Sequence, residues 1–331
     1  MRASTKSDLA LDLQEPLAAA PAVAEVVALV ELGSNAVRCI LTSIVPRVGF
    51  QVFREVRAQT RLGGGEARVL PSIAMRETVR VVRRFLKDVR REHRPRVIGL
   101  ATSAVRDATN QSEFLERLQR EAGLTVQVLS GEEEARLGAR AALWSLSLRE
   151  GTVVDLGGGS LQLTHIRQSE VVTANSFPLG VVRTNRQFLR NDPPTALEIQ
   201  ALRREVRHHG QLFFQQDPKG RDLIGLGGTI RTLGRMQLMK TGQQRTRQGL
   251  RLQRTDVTAL RKQCERLSVR ERLRLPGLKA ERADIILPGA IVVEEVMKLG
   301  KHDTLTVCTD GVRQGFLLRE VFGAEISHAY G

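Results

Sequence analysis

Two stretches of the chain set an acidic residue at the end of an apolar run and follow it at once with glycine. At 152–163 the sequence Thr152-Val153-Val154-Asp155-Leu156-Gly157-Gly158-Gly159-Ser160-Leu161-Gln162-Leu163 reads as a buried strand, a turn and a second strand. Three successive glycines leave backbone N–H groups uncovered by side chains, and Ser160 adds a hydroxyl. That is the chemistry of a phosphate cradle, with the Asp155 carboxylate beside it as a cation ligand. A plain hairpin with a glycine turn has the same local appearance. The layout recurs at 27–38, where Glu31 stands in the place of Asp155 and Gly33 in the place of Gly157, followed by Ser34, Asn35 and Arg38. A third variant, Gly225-Leu226-Gly227-Gly228-Thr229, lies further on. A strand, carboxylate and glycine turn occurring twice predicts two related halves facing each other across a phosphate-filled cleft; chance recurrence of a common turn is the alternative.

The remaining candidates lie between these turns. Ser103 and Arg106 follow a buried strand at 96–101, and small hydroxyls with one arginine at a strand end suit anion capture, as they also suit an ordinary helix start. Glu132, Glu133 and Glu134 open a helix behind Ser130. Acids there complement the helix dipole; alternatively, one of them is aimed at a cleft as a general base that polarises water for attack on phosphorus. Arg183 sits in a turn as a further anion-binding arginine. None of the six histidines falls in a metal-binding pair, and no serine stands in a nucleophile elbow.

The elements that must position these groups alternate between strand and helix, which makes the class α/β. Ser72 and Asn110 read as helix N-caps, Asn110 with Glu113 closing a capping box, and Thr195 with Glu198 reads as another box. Leu197, Leu202 and Val206 form an apolar stripe on the helix after Thr195, and residues 240–254 read as an exposed polar loop. The 331 residues suit two domains, and 41% apolar content suits sizeable cores. No run approaches the roughly 18 apolar residues of a membrane span. Asp8, Asp12 and Glu15 are incompatible with a secretory signal, so the first 24 residues read as a flexible leader. Cys39, Cys264 and Cys308 have neither disulfide nor metal spacing and fit a reduced, cytoplasmic protein. With Lys+Arg at 51 against Asp+Glu at 36, the net charge of +15 favours polyanionic partners, or reflects an arginine-rich proteome. An aromatic content of 4% argues against single-stranded nucleic acid held by base stacking.

Taken in order, the motifs resemble those of the Ppx/GppA family of exopolyphosphatases and guanosine pentaphosphate phosphohydrolases. Besides the three glycine turns, the likeness is carried by Ala101-Thr102-Ser103-Ala104-Val105-Arg106, Ser130-Gly131-Glu132-Glu133-Glu134-Ala135-Arg136 and Pro178-Leu179-Gly180-Val181-Val182-Arg183. It continues through Arg282-Ala283-Asp284-Ile285-Ile286-Leu287-Pro288-Gly289 and Asp310-Gly311-Val312-Arg313-Gln314-Gly315. The resemblance implies a duplicated ribonuclease-H-like fold, shared with actin, Hsp70 and sugar kinases. One domain would span 25–148 and be completed by a terminal helix at 312–322; the other would span 149–311. It further implies an Mg²⁺-dependent phosphoanhydride hydrolase acting on inorganic polyphosphate or on guanosine penta- or tetraphosphate, in a form compatible with a homodimer and with no membrane partner.

Residue by residue, Glu134 matches the general base and Asp155 a carboxylate that positions metal or water. Gly33, Ser34, Asn35, Gly157, Gly158, Gly159 and Ser160 match the phosphate loops, with Arg38, Ser103, Gly227, Gly228 and Thr229 beside them. Arg106 and Arg183 match phosphate clamps. Two positions depart from the family pattern: Glu31 replaces an aspartate, and Gln162 replaces a glutamate. Both stand at expected metal-ligand positions, and a neutral amide supplies less charge to Mg²⁺. A catalytically weak sensor of polyphosphate or alarmone is therefore the alternative reading.

Overall fold

Side-chain alternation along two central strands decides where Glu31 and Asp155 point. The structure, a computed structural model, describes residues 24–65, 68–215, 222–243 and 246–323, so all but the last residue of the expected leader lies outside it. The first half contains β1 (Glu25–Leu32), β2 (Val37–Val45), β3 (Gly49–Ala58), α1 (Ser72–Glu92), β4 (Arg96–Ala101), α2 (Ser103–Arg106), α3 (Gln111–Ala122), β5 (Val126–Val128) and α4 (Gly131–Leu146). The second begins with β6 (Gly151–Leu156), β7 (Leu161–Arg167), β8 (Glu170–Phe177), α5 (Val181–Phe188), α6 (Ala196–Gln215), β9 (Asp222–Leu226) and α7 (Gly228–Thr241). It ends with β10 (Arg251–Gln253), α8 (Arg254–Glu265), α9 (Val269–Arg272), α10 (Ile286–Leu299), β11 (Thr304–Val307) and α11 (Val312–Phe322).

The strands form two sheets, ordered β3-β2-β1-β4-β5 and β10-β11-β9-β6-β7-β8. In the first, β1 pairs antiparallel with β2, β2 antiparallel with β3, and β1 parallel with β4, which is parallel to β5. In the second, β6 stands where β1 stands, with β7 and β8 antiparallel on one side and β9 and β11 parallel on the other. One strand order thus occurs twice, which is the duplicated ribonuclease-H-like fold.

Helix α4 lies between the sheets. On β1, Ala28, Val30 and Leu32 pack under α1 and α3, while Val27 and Leu29 pack against Leu137 of α4 and Val312, Phe316 and Leu317 of α11. Glu31 shares the second set's side of the strand. On β6, Val154 and Leu156 enter the main core of the second lobe, while Val153 packs with Ala139 and Ala142 on the other side of α4. Asp155 shares the side of Val153, and its Oδ2 lies 3.3 Å from where a Cβ on Gly138 would stand. Alternation on two strands therefore aims both carboxylates at one helix.

Several local expectations are corrected. Ser72 is the first helical residue of α1, with Pro71 at the cap and no side-chain cap bond. Asn110 does occupy the cap position of α3 but makes no capping bond; its amide instead bonds both backbone groups of Leu70, at 2.9 and 3.1 Å. Leu197 is 75% exposed because it lies on the outer face of α6, away from Leu202 and Val206. Within the expected loop at 240–254, β10 pairs antiparallel with β11; three residues are too few to give a periodic signal. The box of Thr195 and Glu198 is present, with bonds of 3.3 and 2.7 Å.

Helix α11 meets α4 through a glycine: a Cβ on Gly315 would stand 1.8 Å from the Leu137 carbonyl oxygen. Gly315→Ala is expected to destabilise the protein by about 2–3 kcal/mol, since backbone must move to admit the methyl. Gly49→Ala, where a Cβ meets nothing within 4 Å, should leave the denaturation midpoint nearly unchanged. Urea titrations of the two variants compare them directly.

Candidate active site

The first turn of α4 divides its three glutamates by direction. Glu133 closes the capping box with Ser130, through bonds of 2.7 and 3.1 Å. Glu132 faces solvent and pairs with Arg136. Glu134 turns inward, is 6% exposed, and accepts a 3.0 Å bond from Arg106, whose guanidinium also donates to the Leu129 carbonyl. Glu134 borders a cleft between the lobes together with Glu31, Asp155 and Asp310. Burial pushes its carboxyl up to about 7; Arg106 opposes this, and the nearby charges of Asp155 and Glu31 add to it. Burial likewise pushes Asp155 up to about 6, against the pull of Arg231.

The glycine turns form the rim. Gly33 N–H donates to the Ala36 carbonyl at 3.2 Å, and Gly157 N–H to the Ser160 carbonyl at 3.0 Å, so the two turns close in the same way. They also approach each other: Ser34 Oγ and Ser103 Oγ are 3.1 Å apart, and a Cβ on Gly159 would stand 2.6 and 2.5 Å from these oxygens. A Cβ at 159 would force both hydroxyls out of this contact. Across the rim, Arg57 pairs with Glu281 at 2.5 Å and Arg61 with Asp284 at 2.6 Å, while Gln59 donates to the Glu281 carbonyl at 2.8 Å.

Arg38, Arg57, Arg231, Arg282 and Arg313 all line the cleft. Arg313 pairs with Glu31 at 3.0 Å and with Glu55 at 3.2 Å, and Arg231 donates to the Thr309 carbonyl at 2.6 Å. Among the described residues the guanidinium groups of Arg38 and Arg282 bond nothing. Burial, and after it the charges of neighbouring arginines, push Arg231 down to about 10 and Arg282 down to about 9. Asn35 Nδ2 and Thr229 Oγ1, also on the cleft, are buried without a partner. Crowded guanidiniums and unsatisfied polar groups facing one space form a receptor for an anion with several oxygens.

Most of the residues singled out from the sequence meet here: Glu31, Gly33, Ser34, Asn35, Arg38, Ser103, Glu134, Asp155, Gly157, Gly158, Gly227, Gly228 and Thr229. Five do not border the cleft. Arg106 is spent on Glu134. Arg183 donates to the Gly159 carbonyl at 2.9 Å and pairs with Asp107, which turns it to the far side of the loop at 157–160. Gly159 borders that far side, and Ser160 lies behind the rim, accepting a 2.7 Å bond from Gln162. Gln162 is opposite Asp155 in the β-ladder, but its amide nitrogen donates to Ser160 and, at 3.0 Å, to Ser176, so it braces the loop and is not among the cleft's lining. Sequence reasoning missed Arg57, Arg231, Arg282, Asp310 and Arg313. Arg282, Asp310 and Arg313 stand inside motifs already recognised, and Arg231 follows the third glycine turn by two residues; Arg57 carries no motif.

The donors suit a magnesium ion. Among the described residues no three His, Cys, Asp or Glu side chains form a cage, but magnesium is commonly held by one or two carboxylates with substrate phosphates and water completing the shell. Asp155 keeps an open side to the cleft, and Arg313 bonds only one oxygen of Glu31. These two residues would hold the ion.

A model of the Ppx/GppA phosphatase family matches residues 41–322. Exopolyphosphatase 2 of Mycobacterium tuberculosis is 30% identical over 314 residues, covering 88% of this chain and 97% of its own. Among solved structures, the Aquifex aeolicus member of the Ppx/GppA family superimposes with a TM-score of 0.74 at 29% identity, covering 90% of this chain and 98% of its own. An exopolyphosphatase from Cytophaga hutchinsonii shares the fold, with a TM-score of 0.83 at 24% identity, covering 91% and 99%.

Arg106 is what holds the Glu134 carboxyl down against burial. Arg106→Gln should therefore move the Glu134 titration further above about 7, read from the carboxyl ¹³C shift of glutamate-labelled protein. An unmoved midpoint would show that the guanidinium does not tune this group.

Proposed function

The chain belongs to the Ppx/GppA phosphatase family, and from that premise we propose that it is a magnesium-dependent, cytoplasmic phosphoanhydride hydrolase that removes the terminal phosphate of inorganic polyphosphate. The observation that carries the reading is Glu134: one glutamate of three is buried at the seam, oriented by Arg106, and raised by burial to about 7, where a carboxylate is an effective base at neutral pH.

The substrate is a chain of anionic groups. Arg38, Arg231 and Arg282 hold its oxygens, and the glycine turns at 33–36 and 157–160 offer backbone N–H groups to the end phosphoryl. Asn35 Nδ2 and Thr229 Oγ1 gain the partners they lack. Glu134 takes the proton of a water molecule in line with the bridging oxygen that departs, and Arg106 fixes its orientation. A magnesium ion on Glu31 and Asp155 would supply positive charge to the phosphoryl oxygens. Polyphosphate is favoured over pppGpp because, among the described residues, no aromatic side chain lines the cleft to stack on a guanine, whereas five arginines do line it.

A second reading, binding without turnover, is favoured by one detail: Glu31 already has Arg313 as a partner. Calorimetry showing tight polyphosphate binding by a protein that releases no phosphate would select it.

Phosphate release from polyphosphate and from pppGpp, measured side by side with Mg²⁺, tests the proposal. Glu134→Gln should lower kcat by about 10²–10⁴-fold. Because the base acts only when ionised, kcat/KM should be level above about pH 7 and fall as pH drops below it. Equal rates for wild type and variant would remove Glu134 from the chemistry.

A further inference from the structure

A strap of the first lobe, residues 57–63, runs against the glycine turn at 33–36. Its backbone holds that turn: Arg61 N–H donates to the Asn35 carbonyl at 3.0 Å, and Gly63 N–H to the Ser34 carbonyl at 2.8 Å. Its side chains reach the second lobe, where Arg57 pairs with Glu281 and Arg61 with Asp284. Gln59 does both at once. Its Nε2 donates to the Glu281 carbonyl at 2.8 Å and to Asn35 Oδ1 at 3.3 Å. Gln59 itself does not border the cleft, whereas Asn35 does.

The sense of every bond in this chain is fixed by the first. A backbone carbonyl can only accept, so the Gln59 atom that meets Glu281 has to be the amide nitrogen. That nitrogen carries two hydrogens and accepts none, so its second hydrogen requires an acceptor, and Asn35 turns its oxygen toward it. The other end of the Asn35 amide is then the donor Nδ2, which is buried with no partner among the described residues. A buried donor without an acceptor is costly, and an anionic oxygen relieves that cost. With the amide reversed, the same position would hold a carbonyl oxygen, which repels an anion.

We propose that Gln59 is a positioning residue: it carries the polarity of a second-lobe carbonyl to Asn35, so that Asn35 is held with its donor free for phosphate only when the lobes are closed. The inference rests on reading the cleft as a receptor for a phosphate chain. Lobes that part take the Glu281 carbonyl with them. Water replaces it, and water donates as readily as it accepts, so neither amide keeps a fixed sense. Closure of the lobes and readiness of the first glycine turn for an anion thereby become one event.

Calorimetric titration of the full chain with imido-bridged tripolyphosphate and Mg²⁺ tests this through a double-mutant cycle. Gln59→Met keeps the length of the side chain and removes its donor. It should weaken binding about tenfold, and Asn35→Ala should weaken it by about tenfold or more. The double variant should bind no more than about twofold worse than Asn35→Ala alone, because Gln59 acts through Asn35. Losses that multiply would overturn the proposal, as would Gln59→Met binding like wild type. A second measurement needs no variant at position 59. The side-chain amide signals of Asn35 in ¹⁵N-labelled protein, assigned by their loss in Asn35→Ala, should shift as the analogue binds, and signals that stay in place would overturn the proposal equally. The readout is affinity, so wild-type protein that binds the analogue but releases no phosphate from polyphosphate ends the hydrolase reading and leaves this one standing. Wild-type protein that binds no analogue ends both.

Discussion

Everything at the seam depends on one helix being buried between two sheets. Helix α4 offers Leu137 to the first lobe, and Ala139 and Ala142 to the second. Its amino-terminal turn therefore has to emerge where the central strands of both sheets end. Those strands carry Glu31 and Asp155 on the sides that face the helix. Three carboxylates are brought together by packing that involves none of them directly. The same packing withdraws them from water, which raises Glu134 and Asp155 toward neutrality.

Such a site is stable only with compensation. Arg106 answers Glu134, and Arg313 answers Glu31. The arginines that remain, Arg38 and Arg282 above all, have no partner among the described residues, and burial first and neighbouring arginines second depress the proton affinity of both. Together with the unsatisfied amide of Asn35 and hydroxyl of Thr229, they leave an unmet demand for negative oxygen. An anion placed there would be stabilised because the protein has already met the cost of gathering the groups. The pairs of Arg57 with Glu281 and of Arg61 with Asp284 hold the lobes at this spacing, and Gly159 lets the two turns touch.

Much of this was legible in the sequence because the duplicated turn is local. Unbroken apolar runs marked β1 and β6, the carboxylate at each strand end marked where the seam would be, and glycine marked the turns. What failed to show was side-chain direction after a turn. Arg183 and Gln162 stand at positions where a motif suggests substrate or metal, yet Asp107, Ser160 and Ser176 engage them elsewhere. A turn motif specifies backbone path, and tertiary partners decide where a long side chain goes. The reverse holds for Arg57 and Arg231, whose sequence neighbourhoods are ordinary and whose role as cleft lining exists only once the lobes meet. The three glutamates of α4 show both sides: the residues alone left open which one faces the cleft, the family motif pointed to Glu134, and burial sets it physically apart from its two neighbours.

The account's central claim is that a linear phosphate chain lies in the seam with its end beside Glu134. A crystal structure of the protein with an imido-bridged tripolyphosphate, which resists hydrolysis, tests it most directly. The account expects the end phosphoryl against the turns at 33–36 and 157–160, within reach of Glu134, and the following phosphates against Arg38, Arg231 and Arg282. Density for the analogue on the outer arginine face of α1, with the seam empty, would contradict it.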